Sequence, residues 1–324
     1  MYDNVRFWID RLEIGEGVFQ SLSTYLTDAK AEIDPNTGEW SKTKGFIANL
    51  RVMVNESGMS VQGSLSRFYH WDEDNGKRGN LYPLNRHDTQ KAIEKLSQRL
   101  GGVKMQKAKV RALEFGDWMP LSYPVAEYLK RCGSYPRLRR YQFNDETLYY
   151  RHRGKNQPMT LCLYDKRADA RAKGYELPQG FEDYNLLKYE LRLKGSIGRQ
   201  LKWGEVTGET LYDRGFYKRI AQTYQQEFFK IKKLPQPNSR ISESIKSVGD
   251  GVEALLSRFI RQSGVEVIDS YIDELKSQNT FADRANYSRL RSKLTTMANK
   301  TSKDADDTLI KEMENGVINQ CLYV

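Results

Sequence analysis

Three short stretches of this 324-residue chain carry residues whose chemistry depends on their neighbours. Thr160-Leu161-Cys162-Leu163-Tyr164 ends in a tyrosine, Leu113-Glu114-Phe115 holds a carboxylate, and Tyr189-Glu190-Leu191-Arg192 holds a carboxylate and a guanidinium. All three alternate apolar with polar residues. Successive side chains of a strand point to opposite faces. The pattern therefore predicts strands with Leu161, Leu163, Leu113, Phe115, Tyr189 and Leu191 on one side, and with Thr160, Cys162, Tyr164, Glu114, Lys188, Glu190 and Arg192 on the other. If the three strands are neighbours, one sheet face presents Tyr164, Glu114, Glu190 and Arg192 together. Buried carboxylates are costly unless paired or bound to a cation.

That set has a chemical meaning. A tyrosine hydroxyl can attack a phosphodiester and leave a phosphotyrosine link. Its ordinary pKa is ~10, so it needs help to ionise near neutrality. A hard divalent cation (Mg²⁺ or Mn²⁺) held by Glu114 and Glu190 would polarise the phosphate and stabilise developing charge. Lys166 and Arg192 would neutralise phosphate oxygens. Each residue also has a plainer reading. Tyr164 is one of 20 tyrosines and fits an ordinary strand position. Glu114, Glu190 and Arg192 fit cross-strand ion pairs.

The elements that must position these residues follow from periodicity. Val5, Phe7 and Ile9 alternate with Arg6, Trp8 and Asp10. Phe46, Ala48, Leu50, Val52 and Val54 share one side of a second run, Asn55 to Gly58 is a turn, and the alternation resumes from Met59 to Leu65: a hairpin with one buried face. Residues 29–44 read as a loop or hairpin tip. A helix capped by Asn85 or Asp88 carries Ile93, Leu96 and Leu100 on one stripe and stops at Gly101-Gly102. Pro124 suits the first turn of a helix running to Gly133. A basic helix, Lys166 to Lys173, ends at Gly174. From about Glu209 the chain reads as helical, with Leu211, Ile220, Tyr224, Phe228 and Ile231 near one stripe. Pro235 to Ser239 is a linker candidate, and helical segments follow at 252–261 and 281–297. Strands and helices thus mix in an α+β order: a central antiparallel sheet with flanking helices, followed by a helical C-terminal region.

Composition narrows the partners. The net charge of +10 is uneven: from Arg240 onward there are 12 basic and 13 acidic residues, leaving 40 and 29 in the first 239, a net of +11. A polyanion such as DNA is the default partner for that pattern, against a merely solubilising excess. Arg137, Arg139, Arg140, Arg151, Arg153 and Lys155, interleaved with Tyr135, Tyr141, Tyr149 and Tyr150, form the best nucleic-acid patch, set against a solvated loop. Three scattered cysteines and three histidines suggest neither a zinc site nor a disulfide framework. Phe68 to Asn75, with His70, reads as a solvated acidic turn. No apolar run suits a membrane, and the polar N-terminus lacks a signal-peptide core, so a cytoplasmic location is expected.

With these blocks assembled, the chain resembles the replication initiators of filamentous phages, the gene II type, and their relatives on plasmids and integrative elements. Gly63-Ser64-Leu65-Ser66-Arg67-Phe68 resembles the family's Gly-Ser-Leu-Pro-Lys block, and Val110-Arg111-Ala112-Leu113-Glu114-Phe115 its Ser-Arg-Ile-Asp strand. Thr160 to Lys166 resembles its Tyr-x-Lys strand, and Lys188 to Lys194 its closing Arg-x-Glu-x-Arg-type strand. The four blocks keep their order over roughly residues 1–200. The resemblance implies a nickase/relaxase-like fold and a nicking-and-joining reaction. One strand is cut at an origin, the 5′ phosphate stays on Tyr164, and a 3′ hydroxyl is left to prime rolling-circle synthesis. It also implies Lys166 as a catalytic residue. The candidate DNA contacts are Arg67, Arg111 and Arg192 within these blocks, together with Arg139, Arg140, Arg151 and Arg153 of the basic-aromatic patch. The related nickases with a His-hydrophobe-His metal motif differ, since no such motif occurs here. A carboxylate site like that of the trans-acting plasmid initiators is implied instead. Glu114 stands where the family has Asp, and the longer side chain still offers a cation ligand. Gln62, His70 and Asp72 are candidates for a third ligand.

The expected organisation is a catalytic DNA-nicking domain over 1–205, a helical extension and linker over 206–239, and a helical region over 240–324. That last region is a candidate for recruiting a host helicase or for self-association into a dimer. The substrate expected is single-stranded or origin DNA. The alternatives are a relaxase of a mobilisable element with the same chemistry, a non-catalytic DNA-binding replication regulator, and a structural or partner-binding protein.

Overall fold

The computed structural model of the chain describes residues 1–74, 77, 79–154, 157–234, 245–263, 266–298 and 308–322. β1 (Tyr2–Asp10) is followed by two short helices, α1 (Arg11–Ile14) and α2 (Glu16–Ser21). A meander of β2 (Thr27–Ile33), β3 (Trp40–Ile47), β4 (Leu50–Asn55) and β5 (Gly58–Ser64) leads to α3 (Leu65–Asp74) and α4 (Arg86–Arg99). Then come β6 (Lys109–Leu121), α5 (Val125–Leu129), β7 (Arg139–Phe143), β8 (Thr147–Arg151), β9 (Met159–Asp165), α6 (Lys166–Lys173) and β10 (Asn185–Lys194). The remaining helices are α7 (Ile197–Leu201), α8 (Arg214–Phe229), α9 (Val248–Ser263), α10 (Glu266–Ser277), α11 (Ala285–Ala298) and α12 (Thr308–Leu322).

The fold is α+β. Among the described residues ten strands form one sheet in the order β2-β3-β4-β5-β1-β6-β10-β9-β8-β7. All its strand pairings are antiparallel. Leu113, Phe115, Tyr189 and Leu191 point into the main core, where Phe115 meets the rings of Tyr217 and Tyr224 and Tyr189 meets Tyr224 on α8. Local signals set the ends of the helices that flank the site. The Asn85 side chain accepts from the Asp88 backbone N–H at 2.9 Å, and Gly101 turns the chain with φ +68°. Asp165 caps α6 by accepting from Ala168, and Gly174 ends it in the left-handed conformation.

Several elements differ from the sequence expectation. The run from Phe46 to Val54 is not one strand. It turns tightly at Ala48-Asn49, with Ala48 at φ +52°, so Phe46 is exposed while Leu50, Val52 and Val54 are buried. Residues 29–44 mostly belong to the paired strands β2 and β3. The segment around His70 is helical through Asp74, not a turn, while Asn75 lies outside the described residues. The helix after Pro124 ends at Leu129. Residues 139–151 form a hairpin around Asn144 rather than a loop. The linker candidate at 235–239 lies outside the described residues.

The helices after α8 pack in two places. Ile260, Ile268, Ile272, Tyr287 and Ala298 make a small cluster of their own among α9, α10 and α11. Met313 and Val317 of α12 return to the main core. There Glu312 accepts hydrogen bonds from the Ser122 backbone N–H at 2.9 Å, the Ser122 hydroxyl at 2.7 Å and the Tyr128 hydroxyl.

Candidate active site

β10 runs between β6 and β9. Lys188 therefore faces Tyr164, Glu190 faces Gly116 and Cys162, and Arg192 faces Glu114 and Thr160. Strand alternation puts Tyr164, Glu114, Lys188, Glu190 and Arg192 on the face opposite the main core. Gly116 lets β10 come close: a methyl group there would stand 2.1 Å from the Tyr189 carbonyl oxygen and 2.8 Å from the Glu190 Cα.

The Tyr164 hydroxyl donates to Glu190 Oε1 at 2.9 Å. The other Glu190 oxygen accepts from Arg192 Nε at 2.9 Å and Nη2 at 2.6 Å. Arg192 Nε also lies 3.5 Å from Glu114 Oε1, while Asn4 donates to Glu114 Oε2 at 2.6 Å. Lys188 Nζ stands between two acids, 2.8 Å from Asp3 Oδ2 and 3.1 Å from Glu190 Oε1. Lys166 Nζ donates to Asn80 at 2.6 Å and Asp169 at 2.8 Å, and lies 5.8 Å from the centre of the Tyr164 ring. Asn80 in turn donates to Asp3, which closes a continuous polar network from β1 to α6.

Asp3 is the member that sequence reasoning missed. Strict alternation puts it on the core side with Val5 and Phe7. The register of β1 against β6 slips between Tyr2 and Val5. That irregularity buries Tyr2 against Phe115 and turns both Asp3, bonded to Lys188, and Asn4, bonded to Glu114, toward the acidic cluster. The proposed third ligands lie elsewhere. Asp72 pairs with Lys95 at 2.9 Å, His70 faces Glu73 on α3, and Gln62 is exposed on β5.

Asp3, Glu114 and Glu190 each offer an oxygen within 4.8 Å of the others. Asp3 Oδ1 is buried and has no hydrogen-bond partner. Three hard oxygen donors, one of them orphaned, fit a divalent cation. The charges respond to burial. Burial, reinforced by the Glu190 charge, pushes the Tyr164 hydroxyl well above its usual range, so the resting side chain is the neutral phenol. Burial and Glu190 likewise raise Glu114. Burial also acts to raise Glu190 and Asp3, but the cations win: Lys188 and Arg192 hold Glu190 below the usual carboxylate range, and Lys188 brings Asp3 to about 2. Burial and the neighbouring Lys188 lower Lys166.

No protein-family model matches the chain, and no curated protein sequence matches it.

The other arginines divide. On β7 and β8, the face shared with Tyr164 carries Arg139, Tyr141, Phe143, Thr147, Tyr149 and Arg151. Arg151 lies 4.5 Å above the Tyr141 ring, and Arg192 lies 5.9 Å from that of Tyr149. Arg140 points the other way and is buried. Its guanidinium donates to the carbonyls of Cys132 at 2.8 Å and Leu129 at 3.2 Å and to Gln142 at 2.7 Å, and it pairs with Glu266, so it is not part of the basic surface. Arg139 faces Asp269 and Asp273 of α10 at 3.6 Å each, and Arg153 pairs with Asp273. Arg67 on α3 lies 3.3 Å from the Tyr175 hydroxyl and 5.0 Å from the Trp71 ring. Arg111 is exposed on β6, across the strand from Glu114. Tyr135 and Tyr150 are buried, and Lys155 lies outside the described residues.

Proposed function

We propose that the chain is a metal-dependent DNA strand nickase, a rolling-circle replication initiator that acts through Tyr164. The observation that carries this reading is the Tyr164 hydroxyl bonded to Glu190 inside a buried carboxylate triad on a sheet face edged with arginines. Asp3, Glu114 and Glu190 would hold Mg²⁺ or Mn²⁺, which supplies charge stabilisation at the scissile phosphate. The chain's own groups do the rest. Glu190 Oε1 orients the phenol and accepts its proton as the oxygen attacks phosphorus. The new bond joins Tyr164 to the 5′ phosphate, the bond to the 3′ oxygen breaks, and the proton on Glu190 is available to the departing 3′ oxygen. Arg192 balances charge beside the phosphate, and Lys166 keeps the Asn80 loop and α6 against the tyrosine ring. Reversal of the same steps rejoins the strand. A relaxase of a mobilisable element would use identical chemistry. Among the described residues no helix is long and apolar enough to cross a membrane, and a cytoplasmic site of action belongs to this proposal.

The test is adduct formation. The protein is incubated with a pool of single-stranded DNA and Mg²⁺ or Mn²⁺, and the attached residue is mapped by mass spectrometry. The expected result is a covalent adduct at Tyr164 that vanishes in Tyr164→Phe and with chelator. An adduct that persists in Tyr164→Phe overturns the assignment. The non-catalytic reading has one observation in its favour: Lys188 already neutralises Asp3 and Glu190 from within. It requires DNA binding with no cleavage under any metal, and unaltered affinity in Glu114→Ala/Glu190→Ala.

A further inference from the structure

We infer that the face of β8 and β7 beside Tyr164 is a stacking track for single-stranded DNA, with Tyr149 as its first base platform and the Arg151–Tyr141 pair as its second. For what happens at Tyr164 this rests on the nicking reading above. The binding itself stands on separate observations.

The first is continuity. Tyr149 faces Cys162, two residues along β9 from Tyr164, a step of roughly 7 Å. Arg192 joins the two places, since it holds Glu190 and lies 5.9 Å from the Tyr149 ring. A strand whose phosphate sits at Tyr164 thus meets Tyr149 next. The second is the kind of surface. Tyr149 and Tyr141 are half-buried and Phe143 is 52 % exposed, on the face that carries the charged site rather than the core. Phe143 supports Tyr149 edge-on at 5.7 Å, which fixes the ring in place. Arg151 stacked on Tyr141 offers a flat cation that suits both a base plane and a phosphate. The third is charge. Asp269 and Asp273 hold Arg139 at the outer end of the face, whereas Arg151 stacks on Tyr141 with no carboxylate against it among the described residues. An apolar peptide would leave that guanidinium unanswered. A paired duplex hides the base faces that the rings would stack on, so the occupant is an unpaired polynucleotide.

The experiment uses the full chain and a fluorescent dT15 oligonucleotide in chelator, so that no cleavage intervenes, with anisotropy as the readout. Tyr149→Ala and Tyr141→Ala are each expected to weaken binding about tenfold without changing the salt dependence. Tyr149→Phe keeps the ring and is expected to bind like the parent, which separates stacking from misfolding. Arg151→Gln is expected to flatten the salt dependence by about one phosphate contact. The inference is overturned if the parent chain does not bind dT15. It is overturned equally if Tyr149→Ala binds as well as Tyr149→Phe, if duplex DNA of the same length competes equally, or if rU15 binds more tightly. Its failure and that of the nicking reading look different. Adduct formation with unaltered Tyr149→Ala binding sinks the track alone. Stacking losses without any adduct under any metal sink the nicking alone.

Discussion

Lys188 is the residue that decides how the acidic cluster behaves. Its ammonium lies between Asp3 and Glu190, where a divalent cation would also seek oxygens. Replacing it by Met leaves Asp3 buried without an ion pair and Glu190 with Arg192 alone, and removing one partner of a buried pair typically costs about 3–5 kcal/mol. A cation that binds only the folded state would then restore stability. Lys188→Met is therefore expected to melt well below the parent chain, and Mn²⁺ is expected to raise its melting temperature more than the parent's. Equal responses would mean that the triad does not take the metal. Asp3 makes a second prediction, in pH. Its folded pKa is depressed to about 2 from 3.8. The group therefore adds stability above pH 4 that is lost as pH falls toward 2, about 2 kcal/mol in all. Acid titration of the denaturant midpoint should show that decline, and Asp3→Asn should remove its own share of it. Neither residue stood out in the sequence as part of a cation site. Lys188 was legible as a polar-face residue. Asp3 was not, because its direction depends on a register slip that no periodicity records.

Regular strands made the rest of the cluster readable. Glu114, Tyr164 and Glu190 each follow a core-facing residue, Leu113, Leu163 and Tyr189, with a second one two positions away, so their faces followed from counting by two. The β7–β8 hairpin was hidden for the opposite reason. Its core side carries Arg140, Leu148 and Tyr150, and its site side carries Tyr141, Tyr149 and Arg151, so neither face looks apolar in sequence. Arg140 can face inward because backbone carbonyls and Glu266 satisfy its donors, a tertiary arrangement that composition does not show. The same elements set a test of α10. Its carboxylates Asp269 and Asp273 hold Arg139, and Asp273 also holds Arg153, so they compete with any phosphate at that end of the sheet. Asp269→Asn/Asp273→Asn is expected to bind dT15 more tightly, by about threefold to tenfold at low salt. It should also steepen the salt dependence by about one phosphate contact. Unchanged affinity would show that the α10 end of the face takes no part in binding.

At the scale of the molecule, the buried apolar residues fall into two sets of unequal size. The large set runs across the sheet from Ile47 and Val52 to Leu148 and includes Met313 and Val317 of α12. The small one is Ile260, Ile268, Ile272, Tyr287 and Ala298 among α9, α10 and α11. Sequence order alone groups α9 to α12 together, because all four are helical and lie in the near-neutral stretch. Burial separates them, and α12 belongs with the sheet that carries Tyr164, where Glu312 ties it to Ser122 and Tyr128. A set held mainly by its own contacts can open on its own, at a free energy below that of the whole. Met313 and Ile272 are both buried, and truncating either to Ala removes comparable apolar volume at a cost of about 2–5 kcal/mol. The location of the damage should differ. Met313→Ala is expected to reduce amide-exchange protection along β6 and β10 and throughout α8. Ile272→Ala is expected to reduce protection in α9, α10 and α11 while the strands that carry Glu114, Tyr164 and Glu190 keep theirs. Loss of protection across β6 and β10 in Ile272→Ala would mean that the two cores unfold as one and that α10 cannot leave the arginine face without the sheet.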